Sequence, residues 1–136
     1  VNILTLGYPD KILPYPAVEY IPLSIRTKIF SNNWENRYQN KLYVLDNQSK
    51  SKSLLSRLGI NHPENINFNN NLLILLLNGK VEDIYYRGYK VQMIGDSINN
   101  SYHLFTITKE YFYKDKLTFN FFLANGELIS KERYQL

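Results

Sequence analysis

The chain has no cysteine among its 136 residues, which excludes disulfide scaffolds, thiolate zinc sites and thiol catalysis in any compartment. Its six glycines stand singly, at Gly7, Gly59, Gly79, Gly88, Gly95 and Gly126, so no GxGxxG or GxxxxGK[ST] loop exists to cradle a phosphate. No GxSxG nucleophile motif occurs either. The two histidines, His62 and His103, have no HxH or HExxH spacing and no fixed-distance carboxylate, which argues for structural roles over metal ligation. The adjacent acids Glu82 and Asp83 fall where a turn is expected, a poor setting for a carboxylate that must work with a shifted pKa in a cleft. Neither cofactor nor metal is expected, and the chain reads as non-enzymatic. No apolar run approaches the roughly 18 to 20 residues of a membrane-spanning helix.

Charge does not point to one partner. The formal net charge is +4 and the pI about 9.2, yet Lys and Arg are interleaved with acids, as in Lys114-Asp115-Lys116 and Lys131-Glu132-Arg133. The densest basic group, Lys50, Lys52 and Arg57, reads as the wet face of a short helix. A nucleic-acid track is therefore disfavoured, although a high pI with aromatics on a sheet keeps single-strand binding as an alternative. The two Asn-x-Ser triplets, at Asn47 and Asn99, are expected by chance in a chain this rich in asparagine.

What is present is strand. With 44% hydrophobic residues the composition is that of one globular domain, and a chain this long buries about two-thirds of its surface without needing a metal or disulfide. Residues 1 to 22 hold Pro9, Pro14, Pro16 and Pro22 with Tyr8, Tyr15 and Tyr20 between them, and predict an extended arm or edge element. Residues 23 to 136 predict a single mainly-β domain. Its first strand is expected at Leu23–Ile29, from apolar-polar alternation, and a second at Lys41–Asp46. A short helix follows over 49 to 58, stopped by Gly59, and Ile66 and Phe68 are expected to pin the next loop to the core.

Leu72–Leu77 suits a strand buried on both faces, ended by an Asn78-Gly79 turn. The segment Ile84–Ile94 resumes with Tyr, Val and Ile, and Gly88 inside it predicts a bulge or a close backbone approach. Tyr102–Lys109 follows an Asn99-Asn100 turn. Lys116–Ala124 and Glu127–Tyr134 flank Asn125-Gly126, the strongest short hairpin signal, with a type I′ turn expected. The fold class is thus α+β and mainly β: a twisted antiparallel sheet, a small sandwich or a partly open barrel, carrying one helix.

Twelve tyrosines offer large rigid area with a polar tip. Tyr85, Tyr86, Arg87 and Tyr89, around Gly88, are the candidate binding residues, because alternation sends neighbours to opposite faces and at least one outward. A carbohydrate-binding β module built on Tyr platforms and Trp34 is a further alternative.

The order KLYVLD, short Ser/Leu helix, Ile66-Asn67-Phe68, apolar strand, Asn78-Gly79 and Gly88-Tyr89-Lys90-Val91 resembles the PrcB C-terminal domain family over about residues 41 to 109. That family runs from an I/V-D-F opening through a hydrophobic strand and a Leu-Gly pair to a G-Y-x-I/V strand. The resemblance implies a small extracytoplasmic, often lipid-anchored bacterial domain that accompanies a surface protease complex or another envelope assembly and has no catalytic residues. It gives Phe68, Gly79, Gly88 and Tyr89 structural roles. The chain opens on Val1 rather than Met, compatible with a signal peptide or longer region ahead of it. The expectation is a protein-interaction domain at the cell surface or secreted, with a protein partner.

Overall fold

A computed structural model describes residues 10–11, 17–22 and 40–136; the expected Leu23–Ile29 strand and Trp34 lie outside them. The elements are β1 (Asp10–Lys11), β2 (Ala17–Pro22), β3 (Leu42–Leu45), α1 (Gln48–Arg57), β4 (Asn71–Arg87), β5 (Lys90–Thr108), a short 3₁₀ turn at Lys109–Tyr111, β6 (Lys116–Leu123) and β7 (Leu128–Gln135). The fold is mainly β, a sheet curled into a nearly closed barrel with one unsealed seam. Of the expected alternatives, the partly open barrel is the one formed. The two described stretches of the N-terminal arm join the sheet, β1 against β4 and β2 against β5.

The architecture turns on one long ribbon. Strands β4 and β5 have 17 and 19 residues, so straight they would run about 55 to 60 Å. Yet Lys109–Asp115, which spans at most roughly 25 Å extended, returns the chain so that β6 pairs in parallel with the start of β5, Lys90 opposite Thr118 and Gly95 opposite Leu123. Both can hold only if the ribbon doubles over. The parallel pairing also makes the sheet mixed, where an all-antiparallel one was among the expectations.

The doubling lies at Asn78. Leu77 faces Tyr102 and Gly79 faces Ser97, so Asn78 stands opposite the excursion Ile98–Ser101, which the Ser101 hydroxyl closes by donating to the Ile98 carbonyl at 2.7 Å. Asn78 has φ +58°, a left-handed conformation that asparagine tolerates better than a branched residue. The buried Asn40 amide donates to the Asn78 carbonyl at 2.8 Å and to Ser97 Oγ at 3.2 Å. Gly95 lies in the fold of the ribbon, where an added Cβ would sit 1.8 Å from the Lys80 carbonyl oxygen.

Four local expectations are corrected by this arrangement. Asn78-Gly79 does not end the strand but bends it. Glu82-Asp83 lies in β4 beside a bulge, not in a turn, and Asn99-Asn100 lies within β5. Gly88 sits in no bulge: Arg87 pairs with Lys90 and Gly88-Tyr89 is the hairpin turn. Positive φ at Gly88 (+64°) and not at Tyr89 matches a type II′ turn, which wants glycine first.

The apolar run Leu72–Leu77 works as periodicity requires. Leu72, Ile74 and Leu76 enter the barrel interior with Phe105, Ile107, Phe119 and Phe121. Leu73, Leu75 and Leu77 enter a second cluster with Leu54, Leu55 and Leu58 of α1. Ile66 and Phe68 pack on this second cluster, pinning the loop as expected. Helix α1 is capped at both ends. The Asn47 side chain accepts from the Lys50 N–H at 2.7 Å, an N-cap bond. Gly59 at φ +70° lets its own N–H reach the Ser56 carbonyl and that of Ile60 reach Leu55, the paired bonds of a Schellman motif.

The β6–β7 hairpin forms around Asn125-Gly126, but not through a type I′ turn. Only Gly126 has positive φ, +92°, and its N–H bonds the Leu123 carbonyl at 2.9 Å, so the turn precedes the left-handed glycine. β7 completes the path β1-β4-β5-β6-β7 and comes round to β3 with side chains bridging the gap. The Ser130 hydroxyl donates to the Asn40 carbonyl, and the Tyr134 hydroxyl to the Asp46 carboxylate. That gap is the barrel's seam.

Candidate binding cleft at the hairpin end

The doubled ribbon brings the Gly88-Tyr89 turn beside the segment that follows β5. The Thr118 N–H bonds the Tyr89 carbonyl at 2.8 Å, and the Tyr113 N–H donates to the Tyr86 hydroxyl at 3.4 Å. The Tyr86 ring meets Phe112 and Tyr113 edge-on, with centroids 5.0 and 5.6 Å apart. Two chain segments distant in sequence thus form one end of the barrel.

This end gathers exposed aromatics. Tyr89 is 52% exposed and Tyr113 72%. Each carries a lysine from the next position over its ring: Lys90 Nζ is 5.6 Å from the Tyr89 centroid and Lys114 Nζ 5.8 Å from that of Tyr113. Such contacts hold the ammonium groups near the rings and leave them solvated.

Between the turn and the ends of β6 and β7 lies an open cleft of about 800 Å³. Its walls include Tyr89, Lys114, Lys116 and Arg133, and the half-buried Tyr134 supplies apolar surface, while the neighbouring Leu117 is buried in the barrel core. Register explains the grouping: Lys90 faces Thr118 on β6, and Thr118 faces Arg133 on β7, so the two cations flank a threonine on one sheet face. Asp115 is the acid among the lining residues. Among the described residues, none of Lys114, Lys116 and Arg133 has an ion-pair partner. Tyr134, on the cleft wall, also ties the seam: burial, reinforced by the Asp46 carboxylate, raises its hydroxyl pKa well above the ordinary tyrosine value.

The candidate residues read from the sequence separate here. Tyr89 is on the cleft and exposed, and Tyr85 is half-buried. Tyr86 is only 3% exposed, its ring in the barrel core, so its place as a contact residue is corrected to that of a support beneath Tyr113. Arg87 pairs with Lys90 at the start of the turn. Of the motif residues, Phe68 packs under α1, Gly79 lies at the ribbon bend, Gly88 forms the turn, and Asn125 and Gly126 form the distal hairpin loop. The cleft residues missed in the sequence are Lys114, Lys116 and Arg133, together with the exposed Tyr113 next to Lys114. An aromatic-to-basic switch across Tyr111–Lys116 was the available signal for Tyr113 and the two lysines, but Arg133 joins them only through hairpin register.

His103 does not approach this end. It lies buried opposite Leu76, its Nδ1 accepting the Val81 N–H at 3.0 Å. Burial, with a smaller contribution from Lys80, lowers its pKa to about 4, so the ring is neutral at pH 7. His62 lines a separate hollow beside α1 with Lys52 and Glu64. Among the described residues no three His, Cys, Asp or Glu side chains are grouped to hold a metal ion, and no helix is long and apolar enough to cross a membrane.

No protein-family model, curated protein or solved structure matches the chain.

Proposed function

We propose that the chain is a non-enzymatic protein-interaction domain that engages its partner through the hairpin end of the barrel. One observation carries the reading. The exposed aromatics Tyr89 and Tyr113 stand at one end, beside a cleft with apolar and cationic walls. Aromatic anchors with a charged rim are the composition of interface centres. The resemblance to the PrcB C-terminal domain family adds the setting, a bacterial cell-envelope or secreted protein accessory to a surface protease complex.

A photo-crosslinking residue placed at Tyr89 or Tyr113 in the native host tests the proposal. A discrete protein adduct from these positions, and none from Lys52 on the exposed face of α1, is the expected result. Equal yields from all three positions would remove the assignment of this end. Fractionation of the tagged protein tests the extracytoplasmic setting, which fails if the protein is found only in the cytosol.

A second reading has its own observation. The Tyr89-Lys90 and Tyr113-Lys114 pairs set a cation beside an exposed ring twice over, and single-strand binders combine these two features. Fluorescence anisotropy with a labelled oligonucleotide at about 50 mM salt decides it, since phosphate contacts are strongest at low salt.

A further inference from the structure

We infer that the cleft takes an acidic segment of the partner, an extended peptide presenting two or more carboxylates around one apolar side chain. The inference rests on the interaction-domain reading and deepens it.

The chemistry of the lining supports it. Lys114, Lys116 and Arg133 converge on one space, Asp115 is their acidic counterweight, and none of the three cations is neutralised by an ion pair among the described residues. A like-charged cluster left open to solvent repels itself, and a carboxylate entering it gains from all three at once. Arg133 can hold a carboxylate through two parallel N–H bonds, and the lysines act as point charges beside it. The same cleft offers the half-buried Tyr134 ring to an apolar side chain, and the exposed Tyr89 ring closes one wall.

Size selects among anions. A cleft of about 800 Å³ falls in the range of compact ligand sites, roughly 300 to 1,000 Å³. A single-strand track spans about 4 to 16 nucleotides per OB fold, and the charges that lead along β7 to Arg133 alternate in sign, at Lys131 and Glu132. A short segment with few charges fits that surface better than a long polyanion.

The probe is a randomised eight-residue peptide library selected on the intact chain, in parallel with the charge-reversed variant K114E/K116E/R133E and a control, K50E/K52E, on α1. All five substituted residues are exposed, so these variants are expected to fold, which circular dichroism and thermal melting check. The wild type and the α1 control are expected to enrich Asp or Glu at two or more positions around an aromatic or aliphatic residue. A selected peptide should bind the cleft variant at least tenfold more weakly, and its affinity for the wild type should fall between 50 and 500 mM salt as screening grows. Acid content no higher than in the unselected library, or equal affinity for wild type and cleft variant, overturns the proposal. Non-acidic peptides whose binding is lost in Tyr89→Ala also overturn it and leave the interaction-domain reading standing. No selected peptide together with no adduct from Tyr89 or Tyr113 overturns both.

Discussion

Acid should destabilise this protein through one buried histidine. His103 is neutral in the fold because its Nδ1 lone pair receives the Val81 N–H and because burial, with Lys80 nearby, lowers its pKa from 6.5 to about 4. The unfolded chain therefore binds a proton at higher pH than the folded one does, and stability rises with pH between those values. The contribution is fully present above pH 6.5 and is lost as pH falls through 4. With those two pKa values, the loss at His103 is about 2 kcal/mol by pH 5 and about 3 kcal/mol by pH 4. Carboxylates titrate in the same range, so the comparison that isolates the histidine is with His103→Asn, whose amide oxygen can accept the Val81 N–H without titrating. Urea unfolding of both proteins at pH 7.5, 6, 5 and 4 should show the wild type losing about 2 to 3 kcal/mol more than the variant across the range. Parallel pH dependences, or a His103 C–H resonance titrating near pH 6.5, would refute the argument.

Other consequences concern the ribbon, helix and seam. Gly95→Ala should cost more than about 2 kcal/mol, because the new methyl meets the Lys80 carbonyl at 1.8 Å and backbone must move. Gly88→Ala meets nothing within 4 Å and should cost only the left-handed strain, about 1 to 2 kcal/mol, so thermal melting should rank the pair in that order. Leu55→Ala removes a fully buried side chain from beneath α1 and should cost about 2 to 5 kcal/mol by urea unfolding. Tyr134→Phe deletes the seam bond to Asp46 and should cost about 1 to 2 kcal/mol, with faster hydrogen exchange along β7 if the bond holds the seam.

Local pattern announced the pieces well where one residue type decides the outcome. Gly59 stops α1 as expected because a left-handed glycine satisfies backbone groups within a few positions, whereas the Asn47 cap at its start emerged only from the structure. The apolar run at Leu72 marks a doubly buried strand because no other short element hides six adjacent apolar side chains. Asn78-Gly79 was misleading for a physical reason: asparagine in a left-handed conformation serves a turn and a strand bend equally well, and the choice belongs to Asn40 and Ser97, distant residues that bind the bend. Gly88 reads from the sequence as a bulge or a close backbone approach because the tyrosines around it continue the strand pattern through a turn of only two residues.

The candidate site was half legible. Tyr89 could be singled out as an exposed aromatic near a glycine, but alternation alone could not tell it from Tyr86. Tyr86 closes the strand facing the core, and Tyr89, three positions on, sits in a turn, which obeys no alternation. Sequence by itself determined a mainly-β domain with one capped helix, a doubly buried strand and a C-terminal hairpin, since these follow from periodicity and from interactions a few residues long. Only tertiary structure decided that the β4–β5 ribbon folds back on itself, that β6 joins it in parallel, and that Lys114, Lys116 and Arg133 meet Tyr89 across one cleft. Those outcomes depend on chain reach and on contacts between residues far apart in sequence, and no local pattern encodes them.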